Sequence, residues 1–74
     1  MPTDVRASIA ASVRAEMARR SKTQRDLAAL LGVDQQSISL RCRGERSFRA
    51  EELVAIASWL DVPLDQLTGS GVAA

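Results

Sequence analysis

The sequence predicts an all-α domain, a compact bundle of four to five helices, and three observations lead there. Ala, Leu, Arg and Glu, all strong helix formers, recur along the whole chain. No window alternates apolar and polar residues as a strand does, and no pair of β-branched or aromatic runs flanks a hairpin turn. Apolar residues instead return at three- and four-residue spacing. With 74 residues the chain has room for one core. Its 46% hydrophobic content at a net charge of +1 is too apolar for obligate disorder. A chain of this size buries only about 60% of its unfolded surface, so modest stability is expected.

The first helix is capped by Thr3 or Asp4 and runs to Arg19 or Arg20. Val5, Ile9, Val13 and Met17 form its apolar stripe, and Ala10 widens it. Ser21 and Lys22 make a short break. Thr23 then caps a second helix, with Asp26 three residues later where its charge suits the helix start. Leu27, Ala28, Leu30 and Leu31 supply its apolar content. Gly32 ends it by tolerating a left-handed conformation. Asp34 caps a third helix over about Gln35 to Arg41, and Gly44 lies in the loop beyond. The fourth helix begins at Arg49 or Ala50, with Glu51 and Glu52 in its first turn and Leu53, Ile56, Ala57 and Leu60 on its buried face. Pro63 opens a short fifth helix, with Leu64 and Leu67 turned inward. The domain spans residues 1–67, and residues 68–74 read as a flexible tail.

Charge is divided unevenly. Residues 14–49 hold nine bases against four acids, whereas residues 50–74 hold four acids and no base. One face is therefore expected to meet a polyanion and the other to avoid it. Cys42 is the only cysteine, so no internal disulfide forms, and without His there is no set of metal ligands. No metal, cofactor or small-molecule ligand is expected. Neither a signal peptide nor an apolar run of membrane-spanning length is visible, and a cytoplasmic, nucleoid-associated location is the expectation. No acid–base or nucleophilic constellation stands out, so the chain reads as a non-enzyme.

Thr23 to Gly44 carries the functional signal. Two short helices joined through a glycine turn form a known supersecondary unit. Leu27, Ala28, Gly32, Val33 and Ile38 are its structural core: Ala28 permits close crossing, while Val33 and Ile38 anchor it. Gln35, Gln36, Ser37 and Ser39 are left for the outer side and start of the third helix. A glutamine amide donates and accepts together, which matches adenine in the major groove of DNA. At the start of the second helix, Thr23 and Gln24 stand beside free backbone N–H groups suited to a phosphate. Arg41, Arg43, Arg46 and Arg49 follow the third helix, and with Ser37 they complete the expected phosphate contacts.

The segment from Thr23 to Ser39, with its Thr-Gln opening, Leu-Ala pair, Leu-Gly-Val turn and Ile-Ser, resembles the helix-turn-helix of the lambdoid-phage repressor and Cro family, which is also common among bacterial regulators. Gly44 and the pattern Leu53, Ile56, Ala57, Leu60, Val62, Leu67 extend the resemblance over residues 9–67. It implies a lambda-repressor-like DNA-binding domain with Gln24 at a phosphate site and Gln35, Gln36, Ser39 and Leu40 at or near the bases. Leu40 stands where Gln, Arg or Lys is common: either it touches a thymine methyl, or the helix is rotated a little from the usual frame. Where the family often pairs Arg with Glu, this chain has Met17 and Cys42, so an ion pair is exchanged for an apolar contact and Cys42 is read as buried packing. Asp61 replaces the usual Gly, which implies a different end to the fourth helix. Arg41 stands where the family usually has a bulky, partly buried residue and Lys22 where it commonly has Leu, and their stems are expected to cover apolar surface.

The expected partner is double-stranded DNA, as a palindromic operator bound by a weak homodimer. Trp59, Pro63 and Leu64, in the acidic third, are the expected pairing surface, ahead of Leu30. Transcriptional repression is the leading function. An antitoxin or anti-repressor gripping another protein, and an accessory factor bending DNA for recombination, are the alternatives.

Overall fold

In the computed structural model, residues 4–68 are described. They form five helices: α1 (Val5–Arg19), α2 (Gln24–Leu31), α3 (Gln35–Cys42), α4 (Ala50–Leu60) and α5 (Leu64–Thr68). Among the described residues there is no strand. Helix α1 is the central strut and packs against α3, α4 and α5, while α2 packs against α3 and α4. Val13, Leu27, Ile38, Ile56, Leu60 and Leu67 are fully buried where these helices meet. From Gly69 onward the stretch read as a tail lies outside the described residues.

The start of each of the four longer helices is set by a nearby carboxylate or hydroxyl. Asp4 accepts the Ala7 N–H at 3.3 Å. Thr23 Oγ1 accepts the Asp26 N–H at 3.1 Å, and Asp26 returns the bond to the Thr23 N–H at 2.8 Å. That reciprocal pair is a complete capping box, with Asp in the place usually held by Glu or Gln. Asp34 accepts the Ser37 N–H at 2.7 Å. At α4 only half of the device exists, because a guanidinium has no acceptor: Glu52 takes the Arg49 N–H at 2.9 Å.

The four longer helices all end the same way. Ser21, Gly32, Gly44 and Asp61 follow them at φ values of 57°, 69°, 77° and 58°. The next N–H then reaches back five residues, Lys22 to Met17, Val33 to Ala28, Glu45 to Leu40 and Val62 to Ala57, at 2.9–3.2 Å. This left-handed closure satisfies carbonyls that the helix itself leaves free. The expected change at Asp61 is therefore corrected: Asp takes up the conformation a glycine would have. Gly44 is needed for a second reason, since a Cβ there would stand 3.0 Å from the Ala7 Cα.

Two other expectations fail for geometric reasons. Val5 is 53% exposed, and the buried face of α1 begins at Ala10. A strict four-residue spacing drifts by about 40° per step on a helix of 3.6 residues per turn, so Val5 stands about 120° away from Met17. Leu64 is 42% exposed while Leu67 is fully buried. The single turn of α5 turns one leucine inward, and Leu67 takes that position.

Burial of Glu16 was not foreseen at all. It is 5% exposed, and its carboxylate accepts from Arg19 at 2.6 Å, Arg20 at 2.7 Å and Gln66 at 3.1 Å. The Arg20 hydrogen bond, followed by that from Gln66, holds the carboxyl below its ordinary pKa. This cluster ties α1 to α5.

Replacing Asp61 or Ser21 by Gly removes a left-handed side chain without touching the core. Each change is expected to raise unfolding free energy by about 0.5–1 kcal/mol, the relief of φ strain less the extra freedom of the unfolded chain. Urea titration checks this, and an unchanged or lower midpoint would count against the role assigned to the closure.

Candidate nucleic-acid interface

The placement of α3 is set from its inner side. Ile38 and Cys42, one turn apart, are 0% and 1% exposed. Ala28 on α2 is buried too, a small side chain at the α2–α3 packing, and Leu27 beside it is fully buried. Val33, in the turn, is half-buried against the same core. Gly32 meets no atom within 4 Å of a notional Cβ, so its requirement is the positive φ and not space. At the far end of α3 the Arg14 guanidinium donates to the Cys42 carbonyl, a cation on the negative end of the helix dipole. Met17 and Cys42 share one core, consistent with an apolar exchange for an ion pair.

With that side committed, Gln35 and Gln36 are exposed at the helix start, and Ser37, Ser39 and Leu40 are half-buried. Asp34 takes the Ser37 N–H, leaving the glutamine amides unengaged among the described residues. At the start of α2, the Thr23 N–H and hydroxyl oxygen are both used in the capping box. What remains for an anion is the Thr23 O–H, the N–H groups of Gln24 and Arg25, and the exposed Gln24 amide. Thr23 is thus first a cap.

Of the four arginines assigned to phosphate, Arg43, Arg46 and Arg49 are exposed. Arg43 pairs with Glu45 at 3.2 Å, but both side chains are more than half exposed, and such a pair opens readily. Arg41 requires a correction. It is 7% exposed, its Nη1 donates to Ser37 Oγ, and its Nε lies 3.4 Å from Glu52 Oε1. A guanidinium held in the interior beside a carboxylate does not reach a phosphate on the outside. Glu52 was visible in the sequence only as a favourable charge at a helix start; that it faces Arg41 depends on how α4 crosses the bundle.

The surface expected to pair two copies is also rearranged. Trp59 is half-buried, with the Lys22 ammonium 5.3 Å from its ring centroid, a cation–π distance. Together with Ser21, Asp26, Ala29 and Leu30 they line a shallow hollow of about 430 Å³. Leu30 thus shares this hollow with Trp59, while Pro63 and Leu64 are exposed and do not line it. Among the described residues no group of His, Cys, Asp or Glu is placed to hold a metal ion. No described helix is long and apolar enough to cross a membrane.

Two short helices crossing through a left-handed glycine, the second with a polar start turned outward, define a helix-turn-helix domain, the unit that in DNA-binding proteins places its second helix in the major groove. Residues 13–67 match the helix-turn-helix family, and the chain belongs to it. The fold is similar to the crystal structure of a hypothetical transcription factor from Neisseria, with a TM-score of 0.77 and 24% identity over 92% of this chain and 80% of that one. No curated protein matches the chain.

Burial pushes the Cys42 thiol above its ordinary pKa, against a smaller opposing pull from Arg14. The native protein is expected to resist a thiol-labelling reagent near neutral pH, with labelling appearing only as urea unfolds it. Rapid labelling without denaturant would show that the inner side of α3 is not sealed.

Proposed function

We propose that the protein is a sequence-specific regulator of transcription, a compact repressor of the Cro-like kind that reads the DNA major groove with α3. The observation that carries this is the two-sidedness of α3: Ile38 and Cys42 are sealed in the core while Gln35 and Gln36 stand exposed at its start. Gln35 and Gln36 have the donor–acceptor pairing that adenine requires, with Ser39 and Leu40 alongside for a neighbouring base or a thymine methyl. Gln24 and the free N–H groups of α2 clamp one phosphate. Arg43, Arg46 and Arg49 grip the flanking backbone. Repression is favoured over activation because occupying a promoter needs no further surface. The working location in this reading is the cytoplasm, at the nucleoid.

Selection from random duplexes tests the proposal directly, and an unenriched pool would end it. On the selected duplex, Gln36→Ala is expected to relax preference at one or two base pairs, each worth about 1–3 kcal/mol. Arg43→Ala is expected to weaken all duplexes about equally and reduce the salt slope by about 0.9. Uniform weakening by both variants would remove Gln36 from base reading.

A single module of this size makes few contacts, and two copies on a palindrome would double them. The half-sites would lie about 34 Å apart, one helical turn. Trp59 and Leu30, an aromatic and an aliphatic side chain at the rim of one hollow, support pairing through that face. Sedimentation at micromolar concentration should show a dimer on the selected duplex. A monomer both with and without DNA would exclude pairing.

A further inference from the structure

The group left unexplained by phosphate gripping is Arg41, a cation in the interior whose surroundings are specific. Its side chain is 9% exposed and that of Glu52 12%, so the pair is held largely out of water. Burying two charges in this way is not in itself stabilising, since desolvation offsets much of their attraction. The guanidinium also leaves its buried Nε without a hydrogen bond: the 3.4 Å to Glu52 is an ionic approach only. Packing alone would be served better by an apolar residue. What Arg41 does supply is a hydrogen bond from Nη1 to Ser37 Oγ, one turn earlier on α3.

A serine hydroxyl is ordinarily a donor or an acceptor as its neighbours require. Here the oxygen accepts from a cation, while the backbone N–H of Ser37 is already held by Asp34 at 2.7 Å. What remains to Ser37 is its O–H and one lone pair, and the charge behind the oxygen polarises the O–H and favours donation. A hydroxyl biased toward donation suits an acceptor-only partner, and a phosphate oxygen is one. Glu52 completes the chain: the oxygen that faces Arg41 also takes the Arg49 N–H at the start of α4, so the guanidinium is anchored to another helix.

We propose that Arg41 is a positioning residue for DNA binding, which, neutralised and anchored by Glu52, commits the half-buried Ser37 hydroxyl to donate to a backbone phosphate. The proposal rests on the DNA-binding reading above. It differs from direct contact in a measurable way, because the cation acts from inside and releases no counterion from DNA.

The test compares the parent chain with Ser37→Ala, with the pair variant Arg41→Met/Glu52→Gln and with the triple variant, on the selected duplex across a range of salt. The pair variant leaves net charge unchanged, and its glutamine oxygen can still accept the Arg49 N–H. Ser37→Ala and the pair variant should each weaken binding about tenfold, the size of one charge-assisted hydrogen bond. The triple variant should be no weaker than either, and the salt slope of the pair variant should equal that of the parent. A slope lower by about 0.9 in the pair variant would mean that Arg41 meets phosphate itself. Effects that multiply to about a hundredfold in the triple variant would mean that Arg41 and Ser37 act independently. Either result overturns the proposal, while DNA binding by the parent stands. If the parent selects no duplex, the functional reading fails first and this proposal with it. Should the pair variant not fold, Arg41→Lys keeps a charge beside Glu52 but not the planar fork, and gives the same comparison with Ser37→Ala.

Discussion

The structure depends on one commitment: the side of α3 that carries Ile38 and Cys42 belongs to the core. Two residues four apart occupy nearly the same azimuth on a helix, so sealing both fixes its rotation. Rotation in turn decides which residues of an eight-residue helix face solvent. The Arg14 bond to the Cys42 carbonyl holds the far end, and Asp34 holds the near one. Gln35 and Gln36 at the start of α3 are outside because Ile38 and Cys42 are inside.

Around that helix, ionic groups have been placed where a chain this small has little room for them. Glu16 gathers two arginines and a glutamine between α1 and α5, and Glu52 faces Arg41 between α3 and α4. Meanwhile Met17 and Cys42, where the resemblance implies an ion pair, are both in the apolar core. The electrostatic tie between α3 and the rest of the domain is thus present on a different pair of residues. Buried pairs are demanding about geometry, and removing one member strands the other. Such a tie favours one seating of α3 over near alternatives even where it adds little to total stability.

Much of the fold was legible because the signals for it are local. Thr23 with Asp26, Asp34 before a polar helix start, Gly32 after an apolar run and Pro63 after Val62 each act within a few residues. The apolar positions of α4 were legible for the same reason, since Leu53, Ile56, Ala57 and Leu60 follow the helical period closely. What escaped was set by distance in space. Glu16 could be paired with Arg20 from their spacing, but its bond to Gln66 joins residues fifty apart. Arg41 looked like its neighbours Arg43 and Arg46 until α4 brought Glu52 against it. The stops at Ser21 and Asp61 were placed, but their left-handed conformation was missed because neither is a glycine, although a small polar side chain tolerates that region better than a bulky one. Val5 was misplaced by extending a four-residue spacing too far along a 3.6-residue helix.

Gly44 rests on the backbone of Ala7, and the family match begins only at residue 13. The floor beneath the arginine-bearing loop is therefore built from an opening turn that lies outside the residues matched to the family. In this chain the first helix serves as more than a lid for the bundle: its leading turn sets how far the loop after α3 stands out from the domain.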